Sequence, residues 1–434
     1  MKIAYIAAGA AGMYCGACIH DNTLAAALAQ LGHDVPLIPT YTPTRTDEAN
    51  VSLPRVFFGG INVFLQQKFA LFRHTPWWLD RAFDSPVLLR MASRLASHTN
   101  PAELGALTVS MLRGEEGNQR KELRKLIAWL KEEVRPQIVC LTNALLVGMA
   151  REIKRELQVP IVCGLPGEDI FLDGLPEPSQ SEARTLLRER CRDVDGFIAM
   201  SRYYGDFMTD YLGVPRERIH VVRPGLNLEG FGEMRIAECG MRNELVVIGY
   251  FARIAPEKGL HLLCEAYRIL RQMPGIGPTR LRAGGWLGES GRAYLEKIQR
   301  DMAAWGMAEQ FEYVGELDRA SKIEFLRSLD VFSMPTTYRE PKGLPVLEAL
   351  ACGAPFVQPE HGVFPEFAQA TGGGVLVKPN DPQALAEGLA RLVGDSKLRE
   401  ELGRRGREAV HRDFGDARMA EQTLEVFRRF LTNQ

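Results

Sequence analysis

The chain has 434 residues, enough for two full domains. Its formal net charge of -1 gives no overall attraction to nucleic acid or to an anionic membrane, which argues against both as general partners. No apolar run reaches the roughly 18 residues of a spanning helix, and eight cysteines, mostly at apolar positions, read as reduced thiols of a cytoplasmic protein rather than as a disulfide framework.

Ile3–Ala8 reads as a first buried strand, and a glycine loop, "GAAGMYCGAC", follows it. Lys2, the apolar run and the small residues before Cys18 imitate a secretion signal. However, Leu24, Ala27, Leu28 and Leu31 then form a helical stripe that ends at Gly32, and Val35–Pro39 reads as a second strand. Cleavage would remove the strand on which this unit is built. Gly9, Gly12 and Gly16 give G-x-x-G-x-x-x-G rather than G-x-G-x-x-G, and no acid closes the second strand, so a dinucleotide fingerprint is excluded. Cys15 and Cys18 lack a thioredoxin-like setting and read as bystanders at a helix start.

Residues 60–116 interrupt the alternation with a helical, partly aromatic and basic insertion. Its Trp77, Trp78, Phe64, Phe69 and Phe72 read first as core, although a basic aromatic patch leaves a lipid-linked acceptor and contact with the inner face of a membrane open. Strands then resume at Gln137–Thr142, Pro160–Leu165, Gly196–Met200 and Ile219–Val222. A junction without clean periodicity falls near Glu229–Arg242. Beyond it the pattern restarts with Leu245–Phe251, Arg280–Gly284, Phe311–Val314, Asp330–Met334, Ala354–Val357 and Gly374–Val377. This predicts an α/β protein of two doubly wound, parallel-sheet (Rossmann-like) domains, residues 1–235 and 236–412, facing a central cleft. Residues 413–434, with Met419, Leu424, Phe427 and Leu431 at helical spacing, are expected to cross back to the first domain.

Two constellations in the second half carry chemistry. In "GYFARIAPEKGLHLLCEAYRIL", Arg253 and Lys258 flank a strand–helix turn, a setting that suits a phosphate as well as it suits a solvated basic turn. In "MPTTYREPKGLPVLEALACGAPFV", a helix is expected to begin at Pro345, so the amides of Gly343 to Val346 make an anion site. Glu340 precedes that site and Glu348 lies one turn inside the helix. Carboxylates beside an anion site suit hydroxyl groups, and hydroxyls on both sides of a diphosphate describe a nucleotide sugar.

Arg253-x-x-Pro256-Glu257-Lys258-Gly259, with Glu340 and Glu348 about eighty residues later, resembles the donor site of the family 4 retaining glycosyltransferases of GT-B fold. "LAAALAQLGHDV", "GFIAMSRYYGDFMTDYLGVPRERIHVVRPGLNLEGF", "FEYVGELDRASKIEFLRSLDVFSMPT" and "VLVKPNDPQALAEGLARLV" extend the resemblance over nearly the whole chain. It implies that Arg253, Lys258 and Glu340 are the catalytic set. The two cations would neutralise the donor diphosphate and the leaving group, and Glu340 would hold the donor sugar. Glu348 would hold the ribose, and Gly343 and Leu344 would cap the phosphate or sugar. Val314, Gly315, Glu316 and Leu317 would flank the base, and Gly12 would approach the diphosphate from the other domain. It further implies no metal and no cofactor beyond the nucleotide diphosphate sugar as co-substrate.

Two departures stand out. Lys342 replaces a common aromatic, adding a cation beside the donor. Thr142 or Asn143 stands where many members carry a histidine, and neither is a general base. Candidates for the acceptor side are His20, Asn143, Glu168 and Asp169, with Asp173 nearby; each also reads as a helix start or a capped turn. The implied function is transfer of a hexose to a hydroxyl of a carbohydrate or lipid-linked acceptor. The alternatives are a nucleotide-sugar epimerase or phosphorylase of the same plan, a nicotinamide-dependent oxidoreductase, and a binding scaffold without turnover.

Overall fold

The computed structural model describes residues 1–9, 16–58, 66–67, 101–232 and 245–432. Gly12 and Cys15, most of the insertion with its aromatic residues, and most of the junction after Glu229 lie outside the described residues. The chain folds as two compact units, one of Met1–Gly225 with Ala417–Gln434 and the other of Leu226–Asp416.

The first unit holds a six-stranded parallel sheet in the order β2-β1-β3-β4-β5-β6. Its strands are β1 (Ile3–Ala7), β2 (Leu37–Pro39), β3 (Ile138–Leu141), β4 (Ile161–Leu165), β5 (Gly196–Ala199) and β6 (Ile219–Val221). Every residue of β1 is buried. A strand enclosed on both faces must be apolar throughout, which is why these segments read as unbroken hydrophobic runs. β2 is shorter than expected from Val35, because Pro36 has no N–H to give to the ladder and contributes only its carbonyl, to Tyr5 N at 3.1 Å. One face is covered by α1 (Gly16–Gln30) and by α6 (Asp416–Leu431), whose Met419, Leu424 and Phe427 pack with Leu24 and Leu28 of α1 and with Ile3 and Tyr5. The helix α2 (Arg202–Leu212) brings Tyr204 and Met208 to the core on the other face.

The second unit repeats the plan with a parallel sheet in the order β12-β11-β10-β7-β8-β9. Here β7 is Val246–Phe251, β8 Thr279–Gly284, β9 Phe311–Tyr313, β10 Val331–Phe332, β11 Phe356–Pro359 and β12 Gly374–Val377. The helices that frame its carboxyl edge are α3 (Leu260–Gln272), α4 (Arg319–Arg327) and α5 (Leu344–Ala351). Leu260, Leu263, Tyr267 and Leu270 are buried on one stripe of α3, and full burial of each such side chain stabilises the unit by about 1.5–3 kcal/mol. β10 is only two residues long, flanked by Asp330, whose N–H donates to Val247 O at 2.8 Å and whose carboxylate accepts from Val247 N at 2.8 Å, and by Ser333, whose N–H donates to Gly249 O at 2.8 Å.

In each sheet the strand order reverses once, between β1 and β3 in the first unit and between β7 and β10 in the second. The connections from the two strands at such a point run to opposite faces of the sheet, and ligands of doubly wound folds settle in the crevice there.

Candidate active site

At the reversal of the second sheet, the loop after β7 meets the loop after β10. Gly259 allows this. It has φ of +77°, and a Cβ there would stand 1.9 Å from the Pro335 carbonyl oxygen. No other residue combines that backbone with that approach. The one-turn 3-10 helix Pro256–Lys258 is therefore pressed against the β10 loop, where Thr337 N donates to Glu257 O at 3.0 Å.

Lys258 and Glu340 meet there, with Nζ to Oε2 at 2.8 Å. Glu340 is 2% exposed, so it is not a solvated loop acid. The Tyr338 hydroxyl donates to the same Oε2 and also contacts Lys258 Nζ, while its ring lies under the ammonium at 4.8 Å. The other carboxylate oxygen accepts from Gly343 N at 3.2 Å and Lys342 N at 3.4 Å. Burial pushes the Glu340 carboxyl up, but the Lys258 ammonium, the Tyr338 hydroxyl and Lys342 outweigh it and hold it at about 2. Burial and the Glu340 charge together push the Tyr338 hydroxyl well above its ordinary value. The loop after β11 pins the backbone of Glu340 from outside. Val363 N donates to Glu340 O at 2.9 Å, and Gly362, with φ of +60°, leaves no room for a Cβ against Glu340 N.

Gly343, at φ of +58°, is the N-cap of α5, which starts at Leu344, one residue earlier than expected, with Pro345 in its first turn. The positive end of the helix dipole thus faces Glu340, but the expected run of amides is mostly spent: Gly343 N is taken by Glu340, Val346 N donates to Gly343 O at 3.0 Å, and Pro345 has no N–H, which leaves Leu344 N for a ligand. Arg253 is half-exposed and pairs with Glu257 at 2.5 Å. Glu348, one turn inside α5, is joined to Lys322 of α4 by a 2.6 Å contact. Further along the same edge, Gly285 N donates to Gly315 O at 2.9 Å and the Tyr313 hydroxyl to Gly285 O at 2.7 Å. Val314 and Leu317 are half-buried on that edge and Glu316 is exposed.

At the reversal of the first sheet a second polar group is assembled. Asp21 of α1, 3% exposed, accepts from the Tyr5 hydroxyl at 3.0 Å on Oδ1 and from the Thr142 hydroxyl on Oδ2. His20 Nδ1 lies 3.4 Å from Oδ1. Asn143 caps the next turn, accepting from Leu145 N at 3.1 Å. Glu168, after β4, accepts from Ala144 N at 2.9 Å and Gly167 N at 3.0 Å. Burial pushes its carboxyl up to about 7, the amides offsetting only part of that. Asp169 accepts from the Tyr204 hydroxyl at 2.7 Å, and Asp173 pairs with Arg184. Asp193 and Asp195 pair with Arg151 and Lys154.

The structure therefore brings Lys258, Glu340, Gly343 and Leu344 together in one unit and His20 and Thr142 together in the other. Sequence reasoning missed Tyr338, Lys322 and Asp21. Two of them carried a signal. Lys322 shares a helical stripe with Phe325, Leu326 and Leu329, and Asp21 shares one with Leu24, Ala25 and Leu28. A charge on an apolar stripe must be paired or hydrogen-bonded.

Residues 237–409 match the family of glycosyl transferases group 1, and residues 100–229 match glycosyltransferase family 4. Together the two matches take up more than half of the chain. A D-inositol 3-phosphate glycosyltransferase of Jonesia denitrificans is 33% identical over 49% of this chain and 52% of its own length. An alpha-maltose-1-phosphate synthase of Mycolicibacterium smegmatis is 30% identical over 54% of this chain and 63% of its own. The chain thus spans about half the length of the first of these relatives and under two thirds of the second. Among solved structures, sucrose-phosphate synthase of Thermosynechococcus elongatus aligns over 100% of both chains with TM-score 0.72 and 16% identity. HepE of Anabaena, in complex with UDP and glucose, aligns over 99% of this chain and 100% of its own with TM-score 0.68 and 16% identity. These two likenesses are likenesses of fold, and the fold is GT-B.

Proposed function

We propose that this chain, which belongs to the family 4 glycosyltransferases, is a retaining hexosyltransferase that moves a sugar from a nucleotide diphosphate donor to a hydroxyl acceptor. The observation that carries the reading is the Lys258–Glu340 pair at the amino end of α5, where a cation, a carboxylate and the positive end of a helix converge. A diphosphate suits the ammonium and the helix amino end, and sugar hydroxyls suit the carboxylate.

In this reading Arg253 and Lys258 receive the diphosphate and stabilise its added charge as it leaves. Glu348 takes the ribose hydroxyls, and the edge from Val314 to Leu317 flanks the base. The bond between the anomeric carbon and the phosphate oxygen breaks, and the acceptor oxygen bonds to the same carbon on the same face. The acceptor proton passes to the departing phosphate oxygen, so no protein base and no metal ion is required. Support for a uridine or related donor comes from HepE, a protein of the same fold whose structure holds UDP and glucose. Support for a sugar or polyol acceptor comes from the relatives that are inositol phosphate and maltose phosphate enzymes.

A thermal-shift screen against UDP, GDP and ADP, followed by an assay of nucleotide release from the matching sugar nucleotides, tests the proposal. One nucleotide should raise the melting temperature by several degrees, and its hexose conjugate should be consumed. No shift with any of them would end the donor-site reading.

A further inference from the structure

Beside Asp21 the first unit has a pocket at the carboxyl ends of β3, β5 and β6, lined by Tyr5, His20, Asp21, Cys140, Thr142 and Thr423 among apolar neighbours. It opens to solvent, and its interior is narrow, with room for one hydroxyl-sized group. Its polar character follows from a count of hydrogens. A hydroxyl carries one hydrogen and two lone pairs. Tyr5 and Thr142 both spend their hydrogen on Asp21, and Thr423 spends its own on the Met419 carbonyl at 2.8 Å. The Cys140 thiol is turned to the Leu141 carbonyl. An imidazole nitrogen that faces a carboxylate carries the hydrogen, so the His20 Nδ1 hydrogen is directed at Asp21. The Tyr5, Thr142 and Thr423 hydroxyls on the wall therefore offer lone pairs and no hydrogen. Among the described residues no lysine or arginine pairs with Asp21; its partners are the two hydroxyls and the His20 ring at 3.4 Å.

We infer that this pocket is a subsite for one hydroxyl of an uncharged sugar or polyol, and that it rejects a phosphate at the same point. Asp21 is the positioning residue. By taking the hydrogens of Tyr5 and Thr142 it leaves only their lone pairs to the ligand. A ligand hydroxyl can donate to them, whereas a phosphate, itself all acceptor, meets lone pairs and negative charge. Thr142 thereby gains a specific task at the position where many members of the family carry a histidine. The inference deepens the proposed function, since it rests on the reading that the acceptor is a hydroxyl compound.

Binding of methyl α-glucoside, myo-inositol and glycerol to the full chain, set against glucose 6-phosphate and glycerol 3-phosphate, tests it by ligand-observed NMR and calorimetry. The neutral compounds should bind, and the phosphorylated ones at least tenfold more weakly. Thr142→Val should weaken the neutral ligands roughly tenfold, the loss of one hydrogen bond to a charge-polarised group. Asp21→Asn should shrink the preference, because an amide can donate to Thr142 and free its hydrogen. Melting curves of both variants establish that they fold, and Thr142→Val keeps the test decisive if Asp21→Asn does not. Equal binding of neutral and phosphorylated ligands, or folded variants that bind like the parent, would overturn the inference. A nucleotide shift with no polyol binding would overturn it while leaving the donor site standing. Polyol preference without any nucleotide shift would support it and overturn the donor reading alone.

Discussion

Lys322 and Glu348 form an ion pair inside the second unit, 2.6 Å from Nζ to Oε1, with both residues less than a tenth exposed. They come from different helices, α4 and α5, so the pair fixes the rotamer of the acid assigned to the ribose and ties together the two helices. Removing one partner strands the other charge in a poor solvent, which costs about 3–5 kcal/mol, whereas replacing both with apolar residues of similar size costs far less. Lys322→Met should therefore lower the melting temperature by several degrees, and Lys322→Met with Glu348→Leu should recover much of the loss. A double-mutant cycle by chemical denaturation checks this. Additive losses would mean that the contact carries no coupling.

The Glu340 carboxyl is held at about 2, below the 4.5 it has when unfolded. The sign follows from proton counting. Between those values the unfolded chain binds more protons than the folded one, so stability rises with pH there. The contribution is complete above about pH 4.5 and is lost as pH falls toward 2. Glu340→Gln should remove it, costing on the order of 2–3 kcal/mol at pH 7 and little at the acid end. Urea midpoints measured from pH 7 downward would reveal the convergence. A constant gap at all pH values would show that the amide loses something other than charge.

The doubly wound plan was legible because buried parallel strands leave apolar runs, and all twelve expected strands are present with ends shifted by a few residues. One shift has a local cause, the missing N–H of Pro36 at the start of β2. Lys258, Glu340 and the amino end of α5 were legible because proline, glycine and charge mark loops and helix starts. Their direct contact was not, since it depends on strand order, which sequence spacing does not report. Tyr338 left no signal at all, because a tyrosine two residues before an acid is ordinary in a loop. Asp21 and Lys322 were written into the apolar stripes of their helices, where a charge signals a buried partner.

Gly259→Ala tests how far the site depends on one backbone position. The alanine Cβ would meet the Pro335 carbonyl at 1.9 Å and would sit at φ of +77°. The loop after β7 must then back away, carrying Lys258 from Glu340 and Tyr338. A strained backbone of this kind costs about 1–3 kcal/mol, and the lost approach adds to it. The variant should show a lower melting temperature and a loss of nucleotide-dependent stabilisation greater than in Lys342→Ala, whose backbone is undisturbed. Unchanged nucleotide binding would separate Lys258 from the donor.

Glu168 runs opposite to Glu340. Burial holds it at about 7, above its unfolded 4.5, so in that interval the folded state binds the extra proton. Stability must then fall as pH rises from about 4.5 to 7, and the ionised carboxylate persists above that only through the Ala144 and Gly167 amides. Glu168→Gln keeps one acceptor oxygen for those amides and removes the titration. Its unfolding free energy should be nearly flat across that interval relative to the parent, with a crossing point where the lost amide bond, about 1 kcal/mol, equals the relieved burial of charge. If the variant is instead less stable than the parent by the same amount at pH 5 and pH 8, Glu168 is ionised throughout and its role is confined to capping the turn after β3.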